Sequence, residues 1–356
     1  MKNISIRHLP ERLKRVTSGG KVIDEIDGLR FLAIFPVVIQ HLSERIIRSS
    51  PSLSEHTEST DFLADFVLRG AIGVYVFFVI SGFILALPFA KHHLFGANKP
   101  KLGKYYYRRI TRLEPPYVIT LVILFVLLLI HNQTFTELFP HFLASLFYSH
   151  AFIYGTWTPI NPPSWTLEIE VQFYIMAPML ALLYFKIQGK TLRRLLLITF
   201  IIVKTAVFTY LEITPRVFLS LAYSLEFFLV GFLMADLFLN KELEKKGYVA
   251  LDILGVISFI GLFYTWSWEN EFMYKVLFVL CLIVFFFASF KGKYLNRFLK
   301  NRWISSIGGM CYTIYLIHLA AAEIYINFMG ELFIWEEFTF LLLIHSIIFL
   351  PILFVI

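Results

Sequence analysis

Charge and cysteine are what this sequence has least of. Of its 356 residues, 16% are Asp, Glu, Lys or Arg, 58% are hydrophobic, and two are cysteines. A soluble domain of ordinary composition carries about 25% charged and about 45–50% apolar residues. So few charges cannot clothe the surface of a soluble domain, which excludes a soluble enzyme. Cys281 and Cys311 both lie in apolar segments and support neither a disulfide framework nor a cysteine metal site. No metal centre is expected. A cleavable signal is not expected either, because about 25 largely polar residues precede the first apolar run.

What is present instead is long apolar sequence. Phe occurs 39 times, the stretches 117–130 and 338–356 carry almost no charge, and mean hydropathy is +0.71. These are the marks of an integral membrane protein. Apolar runs near 28–47, 70–90, 116–131, 165–185, 194–212, 217–239, 248–267, 272–290, 304–329 and 337–356 read as ten spans. Lipid offers the backbone no hydrogen-bond partner, so all should be helices. The expected fold is an all-α polytopic bundle of about ten transmembrane helices. Residues 1–27 form a basic cytoplasmic segment, and 28–356 form one membrane domain with no appended soluble domain.

Net charge is +7 and the pI is near 9.2, which in a soluble protein would suggest nucleic acid. Position answers that. With the N-terminus inside and strict alternation, 25 of the 32 Lys and Arg fall on inner segments and 4 on outer ones. That asymmetry places both termini in the cytoplasm and the protein in the cell's inner membrane. The basic charge then sets topology, and no nucleic-acid partner is expected. The long connection 132–164 carries its own apolar piece, 141–154, and is placed on the outer face, as a surface or re-entrant helix lining an entrance. The basic stretch 291–303, interleaved with Tyr, Leu, Phe and Trp, suits a helix on the inner leaflet. There is no internal repeat of the kind transporters often show.

Ionisable groups inside a span are costly and ask for a reason. Arg30 and His41 in the first span are eleven residues apart, so they share a helix face to within about 20° and lie about 16 Å apart along it. Pro36 between them would bend that alignment. Arg30 also reads as a snorkelling anchor and His41 as an interfacial residue. Gly73, Ser81 and Gly82 read first as small-residue packing, with a hydroxyl available at Ser81. Arg109 and Arg112, at i and i+3 just before Pro115 and Pro116 open the third span, face one side of a turn and suit a phosphate. Their plainer reading is contact with anionic lipid. Glu168 and Glu170, at i and i+2, point apart, so at most one faces a polar interior. His318 falls at the depth of His41 and Glu170 and, by itself, reads first as a satisfied interior histidine. Glu212, Glu226, Asp236, Asp252 and Glu323 sit near span ends and are given no role.

Five blocks of this sequence, in order, resemble the acyltransferase 3 family, membrane-bound enzymes that O-acylate bacterial surface glycans and other acceptors. IDGLRFLAIFPVVIQHL resembles the first block, with its Arg and His separated by ten residues, here Arg30 and His41. GVYVFFVISGFIL resembles the second, with Tyr75 where an acidic residue is frequent. RRITRLEPPY resembles the Arg-x-x-Arg block, here Arg109 and Arg112. SWTLEIEVQFY resembles the fourth, whose recurrent Glu falls on Glu170, and GGMCYTIYLIH the last, ending at His318 with Cys311 where Ser is frequent. The family often continues past its last helix with a short Glu-Lys-Pro segment, which this chain, stopping at Ile356, does not show.

The resemblance implies an O-acyltransferase that moves an acyl group, expected to be acetyl, from acyl-CoA to a hydroxyl of a glycan or lipid-linked saccharide. No cofactor is bound; acyl-CoA is a co-substrate. Arg109 and Arg112 would hold CoA phosphates, and Arg30 another phosphate or the thioester carbonyl. His41 would be the general base, with Glu170 orienting its imidazole. Ser81, Trp165, Tyr174 and His318 are carried as supporting residues, and Ser81 or a tyrosine could instead carry the acyl group covalently. The rival class is a transporter or flippase of a glycan or lipid-linked sugar, which would move solute without an acyl donor.

Overall fold

The computed structural model describes residues 23–50, 62–131, 133–244, 247–266, 271–330 and 337–355. Most of the expected N-terminal segment, residues 1–22, lies outside them. The described residues are helical with no β-strand. In chain order the helices are α1 (Asp24–Ser49), α2 (Phe62–Val67), α3 (Ile72–Phe95), α4 (Leu102–Ile130), α5 (Phe135–Leu146), α6 (His150–Tyr154), α7 (Trp165–Phe185) and α8 (Lys190–Tyr210). They continue as α9 (Pro215–Phe218), α10 (Leu221–Leu239), α11 (Val249–Thr265), α12 (Phe272–Lys291), α13 (Tyr294–Leu299), α14 (Arg302–Gly309), α15 (Cys311–Met329) and α16 (Phe338–Val355).

Each expected span falls on one of these helices or on a helix pair. By length and apolarity, however, seven qualify as crossings among the described residues, and up to eight if α14 and α15 count as one. The reasons are local. α8 carries Arg193, Arg194 and Lys204 in 21 residues, and α11 has only 17 residues. The pair α14–α15 is not the straight span expected over 304–329, because it bends by 71° after Gly308 and Gly309. The third span is longer than expected: α4 begins at Leu102 and runs through Pro115 and Pro116. Arg109 and Arg112 therefore stand on the spanning helix itself, not on a loop before it.

Two glycines set how close the central helices come. α3 and α10 meet backbone to backbone at Gly82 and Gly231: a Cβ at Gly231 would lie 2.3 Å from the Val79 carbonyl oxygen, and one at Gly82 2.1 Å from that of Phe228. Packing of helices in lipid depends on such approach, since no hydrophobic effect drives it. Around the contact Phe83, Phe173, Phe228 and Phe232 are wholly buried, and the Phe173 and Phe228 rings stack at 4.0 Å. Gly231→Ala is expected to force the two helices apart and destabilise the fold by about 1–3 kcal/mol. Thermal unfolding in detergent reads this, and an unchanged midpoint would refute the close contact.

Four of the five acidic residues given no role, all but the exposed Glu212, tie the bundle together. Asp236 is fully buried and accepts from Arg193 Nε at 3.0 Å and Nη2 at 2.8 Å and from Arg194 Nε at 3.2 Å. Arg194 also grips Glu242 at 2.8 and 3.0 Å. Lys204 pairs with Glu226, joining α8 to α10. Asp252 accepts from the backbone N–H groups of Lys293, Tyr294 and Leu295 at 2.9–3.1 Å, capping α13, the short helix within the basic stretch 291–303. Glu323 pairs with Arg45 and Arg48. Proximity to a span end was a poor guide, because Asp236, Glu226 and Glu323 are sited by cations on neighbouring helices and Asp252 by backbone N–H groups.

Candidate active site

α1 and α15 pack side by side, and polar residues climb their seam in steps. At the lower step Arg30, one turn and a half into α1, is buried and ion-paired with Asp27 one turn earlier. Beside it opens a cavity of about 100 Å³. Its polar lining is Arg30 of α1, Ser81 of α3, Arg109 and Arg112 of α4, and Thr166, Glu170 and Tyr174 of α7, closed by Cys311, Tyr312 and Tyr315 of α15. Five helices thus converge on three guanidinium groups and one carboxylate. The expected trio of arginines is brought together, and Arg30 joins the other two in one chamber.

Local structure explains each placement. Arg109 and Arg112 are one turn apart on α4 and so share a face. The Arg109 guanidinium lies over the Tyr105 and Tyr174 rings, 5.9 Å from each centroid, and its Nε is buried without a partner among the described residues. A buried, unused donor beside two further arginines is a place for an anion. Ser81 faces α7 because its neighbour Gly82 faces α10. Its hydroxyl donates to Glu170 Oε1 at 2.5 Å. Glu168, two residues earlier, points elsewhere and accepts from the Ala151 N–H at 2.9 Å. One carboxylate serves the interior and the other holds α6, as their spacing required.

The upper step is a pair of imidazoles. His41 of α1 and His318 of α15 have ring centroids 5.2 Å apart, tilted by 39°. Here the expected geometry needs correction. The carboxylate bonded to His41 is not Glu170, which is taken by Ser81, but Glu44, whose Oε2 lies 2.9 Å from His41 Nδ1. Glu44 in turn accepts from Arg45 at 2.8 Å and Gln40 at 2.8 Å. Glu44 went unnoticed in the sequence although the signal was there: three residues after His41 it lies on the same helix face. His318 is 1% exposed; its Nδ1–H donates to the Tyr315 carbonyl at 2.6 Å, and its Nε2 is buried without a partner among the described residues. The plainer reading of a satisfied interior histidine therefore holds for one ring nitrogen only.

Tyr315 stands between the two steps. Its ring lines the arginine cavity and lies 5.6 Å from the His318 ring, while its hydroxyl donates to the Pro163 carbonyl at 2.6 Å and meets Thr166 at 2.6 Å. Asn161 Nδ2 donates to the next carbonyl, Leu316 O, at 3.1 Å. The end of the long connection thus clamps α15 just below His318. Trp165 does not reach the cavity; it stacks on Phe218 of α9 with centroids 6.2 Å apart. Within the connection, α5 and α6 meet through His141 and His150, 2.8 Å apart. Burial first, and then His141, hold the His150 imidazole below its ordinary pKa, opposed by its hydrogen bond to the Thr156 backbone. The described residues hold no cluster of three or more His, Cys, Asp or Glu able to bind a metal ion.

A bundle of apolar helices that keeps an arginine-lined chamber beneath a histidine pair defines a multi-pass membrane protein with buried group-handling chemistry. The chain belongs to the acyltransferase 3 family, whose acyltransferase-domain model matches residues 23–356. It is similar to the O-acetyltransferase OatA of Staphylococcus aureus (strain NCTC 8325 / PS 47), 24% identical over 333 residues that cover 86% of this chain and 52% of that protein. It is similar also to the peptidoglycan O-acetyltransferase OatA of Listeria monocytogenes, 26% identical over 339 residues, 86% of this chain and 50% of that protein. A putative O-acetyltransferase of Staphylococcus aureus (strain COL) is 25% identical over 328 residues, 84% and 50% of the two chains. The chain spans about half the length of these relatives. No solved structure matches it significantly.

Proposed function

We propose that the protein is an integral-membrane O-acyltransferase that takes an acyl group, acetyl by analogy with its relatives, from cytoplasmic acyl-CoA to a hydroxyl of a cell-surface glycan. The name of the Listeria relative gives peptidoglycan as that protein's substrate. In this reading the chain has ten spans with both termini in the cytoplasm, and the acceptor enters past the connection 132–164. The observation that carries the reading is the two-step seam: a chamber with three arginines at one level of α1 and α15, and a histidine pair above it.

The roles follow from the chemistry of the groups. Arg109 and Arg112 hold phosphate oxygens of the donor, the unpartnered Arg109 Nε among their donors. Arg30, on the same chamber and about 16 Å along α1 from His41, holds another phosphate oxygen of the donor. His41 accepts the proton of the attacking hydroxyl through Nε2, because its Nδ1–H is committed to Glu44. An imidazole has an ordinary pKa near 6.5, which suits proton removal at neutral pH. Glu44, in place of Glu170, fixes the tautomer and stabilises the imidazolium. Glu170 keeps Ser81 and Tyr174 in place on the chamber wall.

Replacing Arg109 and Arg112 together by Ala is expected to weaken binding of acyl-CoA by about two orders of magnitude, each lost charge-assisted bond counting for about 1.5–3 kcal/mol. Titration of the purified protein with a non-hydrolysable acyl-CoA analogue measures it. Unchanged affinity would return the two arginines to lipid anchoring. A flippase would bind no acyl-CoA and would release no CoA when supplied with a glycan.

A further inference from the structure

The mechanism above uses one imidazole, yet the structure supplies two, and the second is built with care. His318 is wholly buried, and its ring is fixed by the bond from Nδ1–H to the Tyr315 carbonyl. That carbonyl's residue is itself pinned through its hydroxyl to Pro163 and Thr166, and Asn161 holds the carbonyl of Leu316. Nδ1 carries the proton, so Nε2 is a bare lone pair. It is also one of the few buried side-chain atoms without a partner among the described residues. Leaving such an atom unsatisfied costs about 1–3 kcal/mol, a cost that a ligand donor would remove.

His41 faces it. Its Nδ1 is engaged by Glu44, which leaves Nε2 as a second lone pair on a ring whose centroid is 5.2 Å away. The two rings differ in one respect. His41 is half-buried and has a carboxylate beside it, so it can carry charge; His318 has only a backbone carbonyl and no carboxylate bonded to it. A second base is therefore not what His318 offers. It offers a fixed, neutral hydrogen-bond acceptor next to the base.

We infer that His318 is a specificity-determining residue that receives a second hydroxyl of the acceptor, so that the preferred acceptor is a sugar with two neighbouring hydroxyls. One hydroxyl donates to His41 Nε2 and is acylated; its neighbour donates to His318 Nε2 and is held. A lone alcohol or a water molecule satisfies one lone pair and leaves the other orphaned. This inference rests on the proposed acyl transfer and adds the chemical class of acceptor to it.

The test uses the full chain in vesicles with acetyl-CoA, and as acceptors methyl glucoside and its single-deoxy derivatives. Wild type is expected to acylate the intact glucoside with a KM about ten-fold below that of the derivative lacking the neighbouring hydroxyl, as the loss of one hydrogen bond predicts. In His318→Ala that preference disappears through KM, with kcat for the deoxy acceptor retained, and His318→Gln, whose carbonyl still accepts, restores part of it. His41→Ala instead loses kcat for every acceptor. Equal use of both sugars by wild type, or a preference that survives His318→Ala, overturns the inference and leaves acyl transfer standing. Failure of wild type to move acetyl from acetyl-CoA to any sugar or to water overturns the acyl-transfer reading as well.

Discussion

His41→Ala is expected to lower the rate of acyl transfer by about 10²–10⁴-fold, the usual weight of a positioned general base. Binding of acyl-CoA should be unchanged, because the arginine chamber that would hold the donor does not include His41. The two readouts separate a catalytic role from a folding defect: a misfolded variant loses both. Glu44→Gln supplies the companion measurement. It keeps a hydrogen bond to Nδ1 but removes the charge that would stabilise the imidazolium, so its loss of rate should be smaller than that of His41→Ala. The double variant should be no slower than His41→Ala alone, since Glu44 acts through the imidazole. Additive losses would mean that Glu44 serves some other step, and a His41→Ala enzyme of full activity would remove the histidine pair from the chemistry.

Asp236→Ala should be the most damaging of the structural substitutions. The carboxylate is fully buried, and it neutralises Arg193, which is 1% exposed, while also touching Arg194. Removing one partner of a buried ion pair leaves an uncompensated charge and costs about 3–5 kcal/mol. Asp236 also accepts from Asn240 Nδ2 at 2.6 Å and from the Tyr184 hydroxyl at 3.1 Å, so two further polar groups lose a partner. Thermal unfolding in detergent should show a large drop in midpoint for Asp236→Ala. Glu242→Ala should show a smaller one, because Glu242 is partly exposed and Arg194 keeps Asp236. Equal midpoints for wild type and Asp236→Ala would show that the network contributes little to holding α7, α8 and α10 together.

Much of the fold could be read from the sequence because lipid leaves the backbone so few options. An apolar run of about 20 residues must be a helix there, and each expected run falls on a helix or a helix pair among the described residues. The site was legible where spacing along one helix decided the matter. Arg30 and His41, eleven residues apart on α1, do both face α15, and Arg109 and Arg112 do share the chamber. What failed was pairing between helices. A shared depth pairs Glu170 with His41 in the sequence, but depth leaves open the rotation of each helix about its axis. That rotation is set by contacts such as Gly82 against Phe228, which turns Ser81 toward Glu170. The acidic residues left without a role failed in the same way, since the arginine that sites Asp236 lies 43 residues away in the chain.

The proline pair in α4 has a mechanical meaning. Proline has no N–H, so Pro115 and Pro116 offer no donor to the carbonyls of Thr111 and Arg112, four residues before each. Two rungs of the helical ladder are therefore missing at the level of the arginine chamber, while the Tyr312 hydroxyl donates to the neighbouring Leu113 carbonyl at 2.9 Å. A continuous helix resists bending because bending stretches its hydrogen bonds. Where two of those bonds are already gone, α4 has a compliant joint, and the basic third of the helix can tilt away from its apolar remainder without breaking another. Arg109 and Arg112 stand just below this joint. The chamber wall that carries Arg109 and Arg112 is thus a wall missing two of its backbone hydrogen bonds.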